Sequence, residues 1–208
     1  AHIRTGMKGG PKEEIVYGKD FYREEMRVGE RIFQFHVRPQ AFFQPNVFMA
    51  EKMYEQILTF ARPQKDDIVL DLFCGTGTIG ISLASCVSSV IGVEFEESSV
   101  ASARENAELN GVENILFHAG TVEKILPDLH YQPSIIVVDP PRAGVSPDVL
   151  QNITELQPQK IIYVSCNPAT FARDARFLSD YGYTLSAVQP FDQFPQTAHI
   201  ELVSLFVR

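Results

Sequence analysis

A chain of 208 residues, 45% hydrophobic and 21% charged, is long enough for one α/β domain with a sizeable core and a small appendage. It has no run of about 18 apolar residues, which excludes a membrane-spanning helix; with no signal-peptide pattern either, the expected location is the cytoplasm, with no membrane partner. A formal net charge of −8 argues against a general polyanion binder, because Lys and Arg contacts to phosphate supply most non-specific affinity.

The three cysteines, Cys74, Cys86 and Cys166, have no metal-ligand spacing. They point to a reducing compartment rather than to a disulfide framework or a zinc site, and no metal is expected. The first residue is Ala1 rather than Met, which reads as a piece of a longer protein. Ala1 to Lys12 is glycine-rich and polar, an expected loose arm. Short strands are expected at Ile15–Tyr17, Tyr22–Val28 and Arg31–Val37, the last two forming a hairpin at Gly29. Residues 1–40 are too few for a core of their own and read as an arm with a β appendage, the end of a preceding domain or a lid. Residues 41–208 form the main domain. In it, Phe42–Asn46 is a loop, and Asn46 is placed to cap a helix through Met49, Met53, Ile57 and Leu58 that stops at Pro63.

The organising stretch is Asp67–Gly80, DIVLDLFCGTGTIG. Ile68, Val69, Leu70 and Leu72 make a short apolar run suited to a strand buried on both faces. A glycine turn and a helix through Ile79, Ile81, Leu83 and Ala84 follow. This order lays a polar ligand against helix N–H groups, and Gly75-x-Gly77-x-x-Gly80 matches the dinucleotide-binding fingerprint. The next apolar run, Val90–Val93, closes with Glu94, a carboxylate able to accept from both hydroxyls of a ribose. The bland alternative is a tight turn that needs glycine for backbone reasons alone.

Strand and helix patterns alternate from there. Helices are expected near Ser98–Leu109, Val122–Leu126, Pro147–Leu156 and from Pro168 to about Leu178. Strands are expected at Ile115–Phe117, Ser134–Val138, Lys160–Val164, Leu185–Val188 and Ile200–Val207. The fold class is therefore α/β: a doubly wound, mostly parallel Rossmann-like sheet with a closing antiparallel strand pair and a small N-terminal β appendage.

Three strand ends carry unusual chemistry. Asp139-Pro140-Pro141-Arg142 sets a carboxylate and a guanidinium on a backbone stiffened by proline. Cys166 ends an apolar strand just before Asn167 and Pro168, a good cap and first helical residue. A thiol there faces a helix N-terminus, which is expected to lower its pKa from about 8.5 and raise its thiolate fraction. Its bland alternative is an inert core cysteine, as Cys74 and Cys86 are read. Glu201 stands before Leu202 and Val203 at the start of an apolar strand, where burial should raise its pKa towards that of a proton acceptor. It could instead be an exposed edge residue.

Together these segments resemble the class I S-adenosylmethionine-dependent methyltransferases, and within them the RNA uracil-5-methyltransferase family. The segments are FFQPN (42–46), DLFCGTGTIG (71–80), VIGVEFEESSVASARENAELNG (90–111), DPPRAG (139–144), YVSCNPATFARD (163–174) and DQFPQTAHIE (192–201). The resemblance implies that Gln44, Phe73, Gly75, Glu94 and Asp139 contact S-adenosylmethionine, with Glu94 on the ribose. It implies that Cys166 is the nucleophile and Glu201 the base in transfer of a methyl group to C5 of a uridine. Arg142 and Arg173 are expected to contact RNA. The chain departs from the family's pattern at Thr78, where Asn is frequent, and near Ala119–Gly120, where an acidic or amide residue is usual; no cofactor contact carries over there.

The expected partner is an RNA, ribosomal slightly ahead of transfer RNA. The chain is expected to act as a monomer and to lack the RNA-binding domain that many relatives carry. Two alternatives stand beside this one. An NAD-dependent oxidoreductase would use the glycine turn and Glu94 but leave Cys166 and Glu201 unexplained. A non-catalytic RNA-binding or folding module would keep the fold without needing Cys166.

Overall fold

The computed structural model describes residues 2–7, 10–15, 17–39 and 41–208, the first two stretches as backbone alone. They form strands β1 (His2–Met7) and β2 (Gly10–Ile15), paired antiparallel from His2↔Ile15 to Met7↔Gly10. The loose arm expected there is thus largely a strand pair. Backbone ladders are indifferent to side-chain polarity, so hydropathy alone did not mark it. The strand expected at Ile15–Tyr17 crosses Val16, outside the described residues; Ile15 closes β2. Hairpin β3 (Tyr22–Val28) and β4 (Arg31–Val37) turns where expected, with Gly29 at φ +60°.

Alternation along this hairpin turns Met26, Val28, Phe33, Phe35 and Val37 into the main core. They pack with α1 (Val47–Ala61) and α3 (Glu97–Leu109). The hairpin's outer backbone groups are taken up by those helices. Gln34 N–H donates to Asn110 Oδ1 at 2.9 Å, His36 N–H to Asn106 Oδ1 at 2.8 Å, and Arg27 N–H to Glu51 Oε1 at 2.6 Å. Such side-chain caps close an edge that would otherwise be free to pair.

The main sheet has seven strands in the order β10-β11-β9-β8-β5-β6-β7. They are β5 (Ile68–Leu72), β6 (Ser89–Glu94), β7 (Ile115–Ala119), β8 (Ile135–Val138), β9 (Lys160–Ser165), β10 (Thr184–Phe191) and β11 (Glu201–Val207). β11 runs antiparallel between β9 and β10, and the other described pairings are parallel. Successive strand residues alternate between two cores. Val69, Val137, Ile162 and Val203 pack with α1, α2 (Thr78–Ala84) and α3; Leu70, Ile136, Ile161 and Phe206 pack with α5 (Pro147–Glu155) and α6 (Pro168–Asp180). A short α4 (Val122–Ile125) and a 3₁₀ turn (Leu126–Asp128) precede β8. This is the doubly wound sheet with a closing antiparallel pair that the sequence pattern implies. Chain order reverses between β5 and β8, and the crevice opened there is where ligands of such sheets bind. No helix of the described residues is long and apolar enough to cross a membrane.

Candidate active site

Four segments bring side chains to the carboxyl ends of β5, β6, β8 and β9. After β5, Phe73 adopts φ +62°, a left-handed conformation rare outside glycine and often kept where function demands it. Gly77 follows at φ +79°, and a side chain there would start 2.8 Å from the Phe117 ring, so only glycine lets the turn lie on the sheet. Glu94 ties this turn to β6: Gly75 N–H donates to its Oε2 at 3.0 Å and Glu96 N–H to its Oε1 at 2.9 Å. Each oxygen keeps a lone pair for a further donor such as a ribose hydroxyl.

Below the turn, the buried Asp71 accepts Gly80 N–H on Oδ2 at 2.9 Å, while its Oδ1 has no partner. Burial pushes its pKa up to about 8; the Gly80 bond opposes this, and Asp139 and Glu94 add to it. Above the turn, a small cavity of about 40 Å³ lies among Gln44, Tyr54, Phe73, Gly75, Thr76, Thr78 and Asp139. Tyr54 OH and Thr78 Oγ1 are 2.8 Å apart there. Gln44 is held by Gln193, whose Nε2 donates to Gln44 Oε1 at 3.0 Å, and Gln193 is fixed in turn by the Asn46 cap of α1.

Gln44, Phe73 and Asp139 also line a second cavity of about 360 Å³ with Phe42, Pro140, Pro141, Arg142, Cys166 and Glu201. The register explains why Cys166 and Glu201 meet. Leu202 pairs with Ser165 across the antiparallel β9–β11 ladder, so the residue before Leu202 lies beside the residue after Ser165. Glu201 is buried, 5% exposed, and burial first, then Asp139, push its pKa up to about 7 against the pull of Arg142. Burial likewise pushes Asp139 up to about 7.

The Cys166 thiol departs from expectation. Its pKa is raised rather than lowered, by burial first and then by Glu201 and Asp139, with Arg142 opposing. A backbone N–H also pulls it down, too weakly to offset the burial; Cys166 stands one residue before the cap of α6. Asn167 itself accepts Ala169 N–H at 3.1 Å, and Phe171 N–H bonds to its carbonyl. Cys74 is buried with its pKa pushed well up by burial, and Cys86 is half-buried.

Arg142 is exposed at the cavity mouth and donates to His199 Nδ1 at 3.2 Å. Arg173 lies outside the cavity lining, hydrogen-bonded to Asp174 and to the carbonyls of Ala143 and Val145. Sequence reasoning missed Asp71, Tyr54, Gln193 and Asp174. Asp71 carried a usable signal, an acid inside an apolar strand. The other three are defined by partners distant in sequence.

The model of the tRNA (Uracil-5-)-methyltransferase family matches residues 7–208. The chain belongs to that family. An uncharacterised RNA methyltransferase of Caldanaerobacter subterraneus subsp. tengcongensis is 47% identical over 194 residues, 93% of this chain and 42% of the relative. One from Protochlamydia amoebophila is 41% identical over 215 residues, 98% of this chain and 49% of the relative. This member of the uracil-5-methyltransferase family thus spans less than half the length of these curated relatives. Among solved structures it is similar to a tRNA (uracil-54, C5)-methyltransferase of Pyrococcus abyssi in complex with S-adenosyl-L-homocysteine. The TM-score is 0.81 at 32% identity, over 98% of this chain and 48% of that one.

Proposed function

We propose that this chain is the catalytic module of an S-adenosylmethionine-dependent enzyme that methylates C5 of a uridine in RNA through a covalent adduct of Cys166 with uracil C6. One observation carries this: Cys166 and Glu201, 35 positions apart in sequence, line one cavity that adjoins the glycine turn through Gln44, Phe73 and Asp139.

The turn fits the cofactor. Nothing lies within 4 Å of where a Gly75 side chain would begin, which leaves room for a ligand beside Glu94. Asp71, Asp139 and Glu201 all have raised pKa values around this cleft, with Arg142 the cation opposing them on Glu201. These carboxyls are partly protonated in the empty cleft, and a ligand carrying sulfonium and ammonium charges would favour their ionised form. Glu94 would take the ribose hydroxyls, and Gln44, Phe73 and Asp139 would line the path to the larger cavity. S-adenosylmethionine supplies an electrophilic methyl group there.

Uracil C5 is a weak carbon nucleophile, and Cys166 remedies this. Its Sγ adds to C6, forming an S–C6 bond and moving the ring electron pair onto C5 and O4 as an enolate. After C5 has gained the methyl group, Glu201 takes the C5 proton. The electron pair left behind restores the C5–C6 double bond as S–C6 breaks, freeing the thiolate. Glu201 with a pKa near 7 is ionised often enough at neutral pH to accept that proton. The uracil must leave any stack to reach a half-buried thiol.

Likeness to the Pyrococcus tRNA enzyme favours transfer RNA over the ribosomal RNA that stood slightly ahead from sequence. With a net charge of −8, the main grip on RNA is assigned to protein outside these residues. The oxidoreductase and non-catalytic alternatives give no role to Cys166 beside Glu201. In the test, Glu201→Gln accumulates a methylated protein–RNA adduct on a denaturing gel, whereas Cys166→Ala forms none. Methylation by Cys166→Ala would refute the covalent mechanism, and normal turnover by Glu201→Gln would return Glu201 to a structural part.

A further inference from the structure

The backbone from Arg142 to Val145, which carries Arg142 into the catalytic cavity, is held by four side chains along α6 and its cap. Asn167 Nδ2 and Thr170 Oγ1 donate to the Arg142 carbonyl at 3.1 and 3.2 Å. Arg173 Nη2 donates to the carbonyls of Ala143 and Val145, both at 3.1 Å, and its Nε to Asp174 Oδ1 at 2.8 Å. Asp174, fully buried, accepts Val145 N–H at 2.8 Å and Tyr163 OH at 2.6 Å on its other oxygen. Gly144, at φ +76°, fits under this clamp because it lacks a side chain: one would start 2.6 Å from Asp174 Oδ2 and 2.7 Å from Arg173 Nη2.

We propose that Arg173 is a positioning residue rather than an RNA contact: it clamps the Arg142–Val145 loop to the helix that follows Cys166, so that Arg142 stays in the cavity with the thiol. This rests on Cys166 being the nucleophile. An RNA contact would leave the guanidinium's donors aimed at solvent, whereas three bonds of this one go to protein oxygens although the side chain is 57% exposed.

The consequence is electrostatic. The charged groups acting on the Cys166 thiol are Glu201 from β11 and Asp139 and Arg142 from the loop after β8. His199, from the loop before β11, is hydrogen-bonded to Arg142. On the far side α6 presents the Arg173–Asp174 pair to the loop. Of the three groups acting directly, Arg142 alone favours the thiolate. Releasing the loop moves that cation away and leaves two carboxylates beside the sulfur.

Alkylation of Cys166 by iodoacetamide, followed by peptide mass spectrometry across pH, tests this without RNA or cofactor. Arg142→Ala should slow alkylation near neutral pH by roughly three- to tenfold, because losing the cation beside the sulfur lowers the thiolate fraction. Arg173→Ala should slow it comparably, and should slow it no further in the Arg142→Ala background, because the two act as one unit. Arg173→Lys keeps the charge but not the fork that reaches two carbonyls, and should behave like Arg173→Ala; it decides the matter if the alanine variant fails to fold. Wild-type alkylation in the Arg173 variants, or equal slowing with and without Arg142, would overturn the proposal. So would a salt dependence of uridine–RNA binding whose slope falls by about one on Arg173→Ala, the mark of a lost phosphate contact. If the unmodified chain binds such RNA too weakly to measure, as expected where the main grip lies outside these residues, the alkylation cycle alone decides the role of Arg173.

Discussion

Replacing Asp71 by Asn removes a buried charge while keeping the side chain's outline and its acceptor for Gly80 N–H. Asp71 is fully buried, Oδ1 has no partner, and burial pushes its pKa up to about 8. A carboxyl with a folded pKa above its unfolded value holds more protons in the folded state, so stability present at acid pH is lost as pH rises through the folded pKa. With an unfolded value near 3.8 and a folded value of about 8, the loss from about pH 5 to about pH 8 is about 3–4 kcal/mol for this group alone. For a chain of this size that corresponds to roughly 10 °C in melting temperature. The assay is thermal or urea unfolding of the cofactor-free protein across that range. The wild type should weaken steadily towards pH 8. Asp71→Asn should weaken less, by about the 3–4 kcal/mol assigned to Asp71, while keeping the dependence that Asp139 and Glu201, each raised to about 7, contribute over the same range. Parallel stability curves for the two proteins, or a wild type that gains stability towards pH 8, would refute the claim that Asp71 is strained by its own charge.

Two further outcomes follow from the same site. Glu94→Ala removes two charge-assisted backbone hydrogen bonds and the ribose acceptor, and should weaken S-adenosylmethionine binding by about 1–3 kcal/mol in calorimetry; unchanged affinity, or preferential binding of NAD by the wild type, would remove Glu94 from a methyltransferase site. Resolution of the RNA adduct needs Glu201 ionised, so its single-turnover rate should climb with pH and level off above about 7, and a rate already flat at pH 5 would contradict that base.

The central strands and helices were legible because each buried strand is a short apolar run closed by polar, glycine or proline residues. Cys166 and Glu201 were legible as neighbours through family resemblance, whereas their contact depends on a ladder register that no local pattern encodes. The same distance in sequence explains the wrong sign expected for the Cys166 pKa. A helix N-terminus can be read locally, but the burial that chiefly raises this pKa comes from the assembled cavity, and Glu201 and Asp139 arrive from 35 and 27 residues away. β10 proved longer than the expected Leu185–Val188 because it is an outer strand, exposed along most of its length, where Pro190 can sit without breaking an inner ladder. Asp174 left no trace in the sequence, since its three partners come from β9, α6 and the loop before α5.

The reversed direction of β11 separates two design variables. In a parallel strand, a residue at this end of the sheet is the last of its run, and its place depends on everything before it. Glu201 is instead the first residue of β11, and its depth and facing are set by pairing with Phe191 and by Leu202 against Ser165. The mostly exposed loop before it, Phe194 to Ile200, can therefore change without resetting the register of Glu201, provided His199 keeps its bond to Arg142. Under the proposed function, retargeting to a different RNA contour is thus a problem of loop grafting, with the proposed proton acceptor held constant by the sheet.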